Sequence, residues 1–110
     1  MKVVIAGSRS INSYDLVERT IQDSGYEVTE VVSGRARGVD SLGEHWAERH
    51  DIPVKKFPAD WDKHGKAAGH IRNAEMAKYA DAAILIWDGQ SRGTKNMIDN
   101  MKKLNKHYFL

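Results

Sequence analysis

Two unbroken apolar runs, Val3-Val4-Ile5-Ala6 and Ala82-Ala83-Ile84-Leu85-Ile86-Trp87, limit what this chain can fold into more than any other feature. A strand with one wet face alternates apolar and polar residues. A run that is apolar at every position is buried on both faces, as in a parallel sheet covered by helices on either side. Between the two runs the period changes. Asn12 or Ser13 can cap a helix in which Tyr14, Val17 and Ile21 share one side, with Gly25 placed to stop it. Val28–Val32 reads as a strand closed by Ser33-Gly34, and Val39, Leu42, Trp46 and Ala47 mark a helix after Gly38. Ile52–Phe57 is a weaker strand, with Pro53 tolerable at a sheet edge and Pro58 ending it.

After an irregular, Asp-, Lys-, His- and Gly-rich loop over 59–69, a helix running from about Lys66 to Tyr79 carries Ile71, Ala74 and Ala77. Thr94–Leu104 is a last helix with Met97, Ile98, Met101 and Leu104 inward, and Tyr108–Leu110 can add a fifth strand. Strand and helix thus alternate throughout, which predicts an α/β, Rossmann-like three-layer sandwich with a parallel sheet. The two most apolar strands belong at its centre and the weakest at its edges. The expected order is 3-2-1-4-5, with the winding reversing between the first and fourth strands.

A length of 110 residues fits one domain, 1–110. A core this small makes a homodimer an expectation. The absence of cysteine rules out a disulfide framework or a thiolate metal site. No run approaches the roughly 20 apolar residues needed to cross a bilayer, and the N-terminal run is too short for a signal peptide. A cytoplasmic protein is expected, with no membrane partner. A formal net charge of +2 is too small to imply general nucleic-acid binding.

In an open α/β sheet, ligands bind outside the carboxyl ends of the strands. Three polar turns should meet there: Gly7-Ser8-Arg9-Ser10, Ser33-Gly34-Arg35-Ala36-Arg37-Gly38 and Asp88-Gly89-Gln90-Ser91-Arg92-Gly93-Thr94. Glycine lets backbone amides approach an anion, helix N-termini add donors, and arginine forks match phosphate oxygens. Taken singly, each turn could be mere punctuation with solvated arginines. Taken together, they point to an anion site. None is a P-loop or a strict GxGxxG fingerprint, so an ordinary NTPase or dinucleotide dehydrogenase is not supported.

The segments Gly7-Ser8-Arg9, Ser33-Gly34-Arg35-Ala36-Arg37-Gly38-Val39-Asp40, Phe57-Pro58-Ala59-Asp60-Trp61, Gly69-His70-Ile71-Arg72-Asn73 and Gly89-Gln90-Ser91-Arg92-Gly93-Thr94 resemble the YspA-type, YpsA-related branch of the SLOG superfamily. The superfamily also holds the Lonely Guy phosphoribohydrolases and the DprA core. The resemblance implies a Rossmann-like fold, a nucleotide-derived small-molecule partner, a bacterial or phage source and no resident cofactor. The implied ligand-binding set is Gly7, Ser8, Arg9, Ser33, Gly34, Arg35, Arg37, Gly38, Asp40, Arg72, Asn73, Asp88, Gly89, Ser91, Gly93 and Thr94. Sensing or sequestration of a nucleotide is the first reading.

The second reading is hydrolysis of an N-glycosidic bond of a nucleoside monophosphate, as in the Lonely Guy enzymes. Their phosphate motif is followed by a catalytic Glu three residues after the Thr, and Met97 stands there in this chain. A substitute carboxylate has to come from Asp40, Glu44 or Asp88. Asp40 could instead cap a helix, and Glu44 could be a solvated partner of His45 or Arg49. Asp40 and Asp88 are expected to contact ligand rather than perform acid–base chemistry.

In the 60–70 loop, Trp61 could stack on a base or pin the loop, while Lys63, His64, Lys66 and Arg72 could steer phosphate. His64, His70, Asp60 and Asp62 match no familiar metal spacing, and no metal is expected. A nucleic-acid module, suggested by the DprA core and by Lys95, Lys102, Lys103 and Lys106, is the third reading.

Overall fold

The computed structural model describes all residues from Met1 to Leu110. Its elements are β1 (Lys2–Gly7), α1 (Tyr14–Ser24), β2 (Glu30–Ser33), α2 (Val39–Arg49), β3 (Val54–Lys56), α3 (Trp61–His64), α4 (Ala68–Tyr79), β4 (Ala82–Ile86), α5 (Arg92–Lys103) and β5 (His107–Phe109), with a 3-10 turn at Gly65–Ala67. All strand pairs are parallel and the order is β3-β2-β1-β4-β5, as the hydrophobic pattern predicts.

Successive side chains of a strand point to opposite faces, so β1 divides between two cores. Val3 and Ile5 join Val17 and Ile21 of α1 and Val39, Trp46 and Ala47 of α2 on one face. Val4 and Ala6 join Met76 and Ala77 of α4 and Met97, Ile98 and Met101 of α5 on the other. Central β4 is buried along its whole length. The helix pairs therefore change face between β1 and β4, and the turns leaving these two strands diverge around one opening. That opening is the switch point of the fold.

Local chemistry sets the helix ends. Ser13 caps α1 by accepting from the Leu16 amide at 3.3 Å, and the chain leaves that helix at Gly25. Ser91 caps α5 by accepting from the Thr94 amide at 3.3 Å, so that helix starts two residues before its expected first residue. At the far end of α4, the Lys106 ammonium donates to the carbonyls of Ala77, Lys78 and Ala80 at 2.7–2.9 Å. This closes the helix with a cation at the negative end of its dipole.

Two expectations are corrected. Leu104, expected inward on the last helix, lies just past its last residue and is 39% exposed. The 59–69 stretch is not irregular throughout, because Asp60 accepts from the Lys63 amide at 3.1 Å and starts the single turn of α3. None of its residues is buried, so it leaves no hydrophobic period in the sequence.

Candidate functional site

A cleft of about 400 Å3 opens at the carboxyl ends of β1 and β4. That volume lies within the roughly 300–1,000 Å3 range usual for small-molecule sites. Its floor is apolar (Ala6, Met76 and Met97), and its rim is Gly7, Ser8, Arg9, Ser10, Ala36, Asp40, Arg72, Asn73, Asp88, Ser91, Gly93 and Thr94. A smaller hollow of about 170 Å3 adjoins it, sharing Arg9, Ala36 and Arg72 and adding Gly34, Arg35, Pro58, Ala59 and Trp61. The turns after β1, β2 and β4 are thus gathered at one end of the sheet.

Two of these turns keep donors unspent. In the β1–α1 turn the Ser8 amide is bound to the Ile86 carbonyl at 3.0 Å, but the amides of Arg9 and Ser10 meet no acceptor within the protein. The Gly93 amide, in the first turn of α5, is likewise unbonded. All three residues line the cleft, and the α5 dipole adds positive potential where Gly93 sits. Among the ion pairs of the chain, Arg35–Glu44 and Lys95–Asp99, Arg9 takes no part, so its exposed guanidinium is unpaired.

The turn after β2 behaves differently. Asp40, 5% exposed, reaches back under it and accepts from the Ala36 amide at 3.4 Å. The amides of Gly7 and Gly34 also favour its charged form. Burial nevertheless dominates and lifts the Asp40 carboxyl to about 6, against the opposing pull of the Arg72 guanidinium and those three amides. Burial likewise lowers Arg72 from its usual value, with Asp40 opposing and Arg9 adding to the shift.

Arg72 donates through Nη1 to the Gly34 carbonyl and through Nε to Asn73 Oδ1 at 3.0 Å. A Cβ on Gly34 would lie 2.8 Å from Arg72 Nη1 and 2.9 Å from Asp40 Oδ2, so a larger residue there would have to displace the two charged groups. Gly38 has φ +74°, and a Cβ there would sit 2.5 Å from the Ser8 carbonyl oxygen, packing the second turn against the first.

Several sequence candidates serve the scaffold of the site. Ser8 is buried and its Oγ accepts from the Asp88 amide at 3.0 Å, joining the β1 and β4 turns. Asn73 is buried and donates to the Gly93 carbonyl at 3.2 Å and to Asn96 Oδ1 at 3.1 Å, tying α4 to α5. Thr94 donates its hydroxyl to Ser91 Oγ at 3.1 Å inside the α5 cap. Ser33 donates to Glu44 Oε2 at 2.5 Å, and Arg35 pairs with the other oxygen of Glu44. Asp88 accepts from the amides of Gln90 and Ser91 at 2.8 and 3.0 Å, which holds its carboxyl below the usual range.

Ser33, Gly38, Arg37, Gly89 and Glu44 line neither the cleft nor the hollow, and Lys63, His64 and Lys66 also stand outside both. Ser10, Ala36, Met76 and Met97 line the cleft although sequence reasoning did not single them out for it. Ser10 and Ala36 were recoverable from their places in the first and second turns. The others were not, since their spacing marks them only as core or filler. The residue at the position of the Lonely Guy catalytic Glu, Met97, is 1% exposed and forms part of the apolar floor. No group of three or more His, Asp or Glu gathers in a way that could hold a metal ion. No helix is long and apolar enough to cross a membrane.

Comparison with known proteins gives three findings. Residues 1–64 match the model of the YspA, cpYpsA-related SLOG family. The chain is similar to the Gene 61 protein of Mycobacterium phage D29, 33% identical over 112 residues that cover 93% of this chain and 89% of the phage protein. Its fold is that of DNA processing protein A (DprA) from Streptococcus pneumoniae, with a TM-score of 0.78 at 19% identity. The match covers 97% of this chain but only 48% of the DprA chain, so this protein spans about half of that neighbour. The chain belongs to the YspA, cpYpsA-related SLOG family.

Proposed function

We propose that this SLOG-family chain binds a nucleotide or nucleotide-derived phosphate in the cleft between the β1 and β4 turns, for sensing or sequestration. The observation that carries the reading is the set of unbonded amides at Arg9, Ser10 and Gly93, beside the unpaired Arg9 guanidinium and at the mouth of one cleft. Among the charged residues lining the cleft, Arg9 and Arg72 are offset by Asp40 and Asp88. The attraction for an anion is therefore directional, from amides and a helix end, rather than a matter of net charge. That favours a compact phosphate over a diffuse polyanion.

A turnover reading rests on Asp40. Glu44 is held by Ser33 and Arg35, and the Asp88 carboxylate by two backbone amides, whereas Asp40 lines the cleft as a buried carboxyl with a raised pKa. The same Asp40 is committed to the Ala36 amide of its own turn, which suits a scaffold better than a proton shuttle. Retention of an intact ligand is therefore the preferred reading over release of a free base.

The nucleic-acid reading loses support, because Lys106 closes α4 and Lys95 pairs with Asp99 at 3.2 Å. A homodimer is part of the proposal on grounds of the small core, and a monomer mass in sedimentation would remove it. The test of function is native mass spectrometry of the purified protein, followed by incubation of nucleoside monophosphates with it. A co-purifying phosphate compound returned unchanged supports binding. Liberated base moves the assignment to hydrolysis, and the absence of any bound or stabilising nucleotide contradicts both.

A further inference from the structure

The hollow beside the phosphate cleft holds the one large aromatic side chain that the fold leaves open. Trp61 is 53% exposed, while Trp46 is buried and Trp87 is half-buried with its indole N–H donating to the Ser91 carbonyl at 3.0 Å. An exposed tryptophan on a single-turn helix gives the core nothing. Its position is nonetheless fixed, because Asp60 caps the turn that carries it and Pro58 stiffens the approach.

A Cβ placed on Gly69 of α4 would lie 3.6 Å from Trp61 Cη2 and 3.8 Å from Arg72 Nη2. The outer edge of the indole and the guanidinium that lines the phosphate cleft therefore flank the same point of α4. Arg72 spends Nε and one Nη1 hydrogen on Asn73 and Gly34, which leaves Nη2, the nitrogen beside Gly69, free. Arg9 and Arg72 line both cavities, so the hollow and the cleft are two lobes of one site.

We infer that the hollow is a base-stacking lobe: the ligand is a nucleotide whose phosphate lies in the cleft and whose heterocyclic base lies on the face of Trp61. The inference rests on the phosphate reading above and specifies the ligand class for it. A planar base gains from an indole face whatever its edge pattern, and guanidinium groups around it add cation–π attraction. With Trp61, Pro58 and Ala59 supplying contact area and Arg9, Arg35 and Arg72 surrounding it, the lobe selects for a flat ring without reading its edge. It predicts preference for a nucleotide over a sugar phosphate, with weak discrimination among bases.

Calorimetric titrations of adenosine 5′-monophosphate and of ribose 5-phosphate into the wild type, Trp61→Ala and Trp61→Phe test this. Stacking of one base on an aromatic ring is worth a factor of about 5 to 150 in affinity. Trp61→Ala is expected to weaken adenosine monophosphate binding by such a factor, Trp61→Phe to recover part of it, and ribose 5-phosphate to bind all three proteins alike. Because Trp61 is exposed, the melting temperature should stay within a few degrees of wild type. Titration of the nucleotide should also quench a component of the tryptophan fluorescence that Trp61→Phe removes. Equal adenosine monophosphate affinity in wild type and Trp61→Ala would overturn the base lobe while leaving the phosphate cleft standing. Failure of both probes to bind the wild type would overturn both.

Discussion

The turn after β2 and the turn after β4 look alike in sequence and differ in what they do with their hydrogen bonds. Ser33-Gly34-Arg35-Ala36-Arg37-Gly38 and Asp88-Gly89-Gln90-Ser91-Arg92-Gly93-Thr94 both mix glycine, hydroxyls and arginine, and both lead into a helix. In the first, the amide of Ala36 goes to Asp40, that of Arg35 goes to Ser33 Oγ at 3.2 Å, and the Arg35 guanidinium goes to Glu44. The two amides at the middle of this turn are spent on its own side chains. In the second, Asp88 and Ser91 satisfy only the amides of Gln90, Ser91 and Thr94, and the Gly93 amide stays open beside the cleft. A carboxylate one residue inside the helix (Asp40) makes one turn a support, and a serine at the cap makes the other a receptor.

The sharpest way to break this contrast is to add a side chain to each turn. A Cβ on Gly93 meets nothing within 4 Å, although the residue lines the cleft. Gly93→Val should therefore reduce nucleotide binding at least a hundredfold while leaving folding near wild type, apart from the lower helix propensity of valine near a helix start. Gly34→Ala should do the reverse in origin. Its Cβ would collide with Arg72 and Asp40, so unfolding in urea should show a loss of about 1–3 kcal/mol. Equal behaviour of the two variants would erase the distinction.

Next in size is the pH dependence of Asp40. Its folded carboxyl is raised from 3.8 to about 6. The stability it contributes is thus fully present below pH 3.8 and is lost as pH rises through about 6, because the unfolded chain gives up the proton first. The gap corresponds to about 3 kcal/mol. The stability of Asp40→Asn relative to wild type should therefore rise by about that amount between pH 3 and pH 7. A difference that stays flat over this range would contradict the burial-driven account of Asp40.

Arg9→Ala probes the open side with a smaller effect, an expected loss of about tenfold in nucleotide affinity, or about 1.4 kcal/mol. Its melting temperature should be unchanged, since the side chain is exposed and makes no ion pair. Smallest is Glu44→Gln. The Arg35 partner is 46% exposed, so solvent screens the pair and the loss of stability should stay below about 1 kcal/mol in chemical denaturation. A larger cost would mean that the support turn hangs on Glu44 rather than on Asp40.

The strand order was readable because the apolar runs of β1 and β4 declare burial on both faces, and Ser13, Gly25 and Gly38 mark local boundaries through backbone chemistry. The place of the site followed from that order. What each turn does with its donors was not readable, since it depends on Asp40 folding back under Gly34 and on Arg72 arriving from a helix 38 residues further along the chain. Helix α3 escaped detection for a related reason: a four-residue turn with no buried side chain has no period to see. Trp61 was visible as a residue, but its neighbours Arg72 and Gly69 emerge only from packing.

The most direct measurement is an amide nitrogen–proton NMR titration with adenosine 5′-monophosphate, in which each backbone donor reports for itself. The amides of Arg9, Ser10 and Gly93 should shift most on binding, and those of Arg35 and Ala36 should shift much less. Largest shifts at Arg35 and Ala36, or none at any of the five, would contradict the division between spent and open amides.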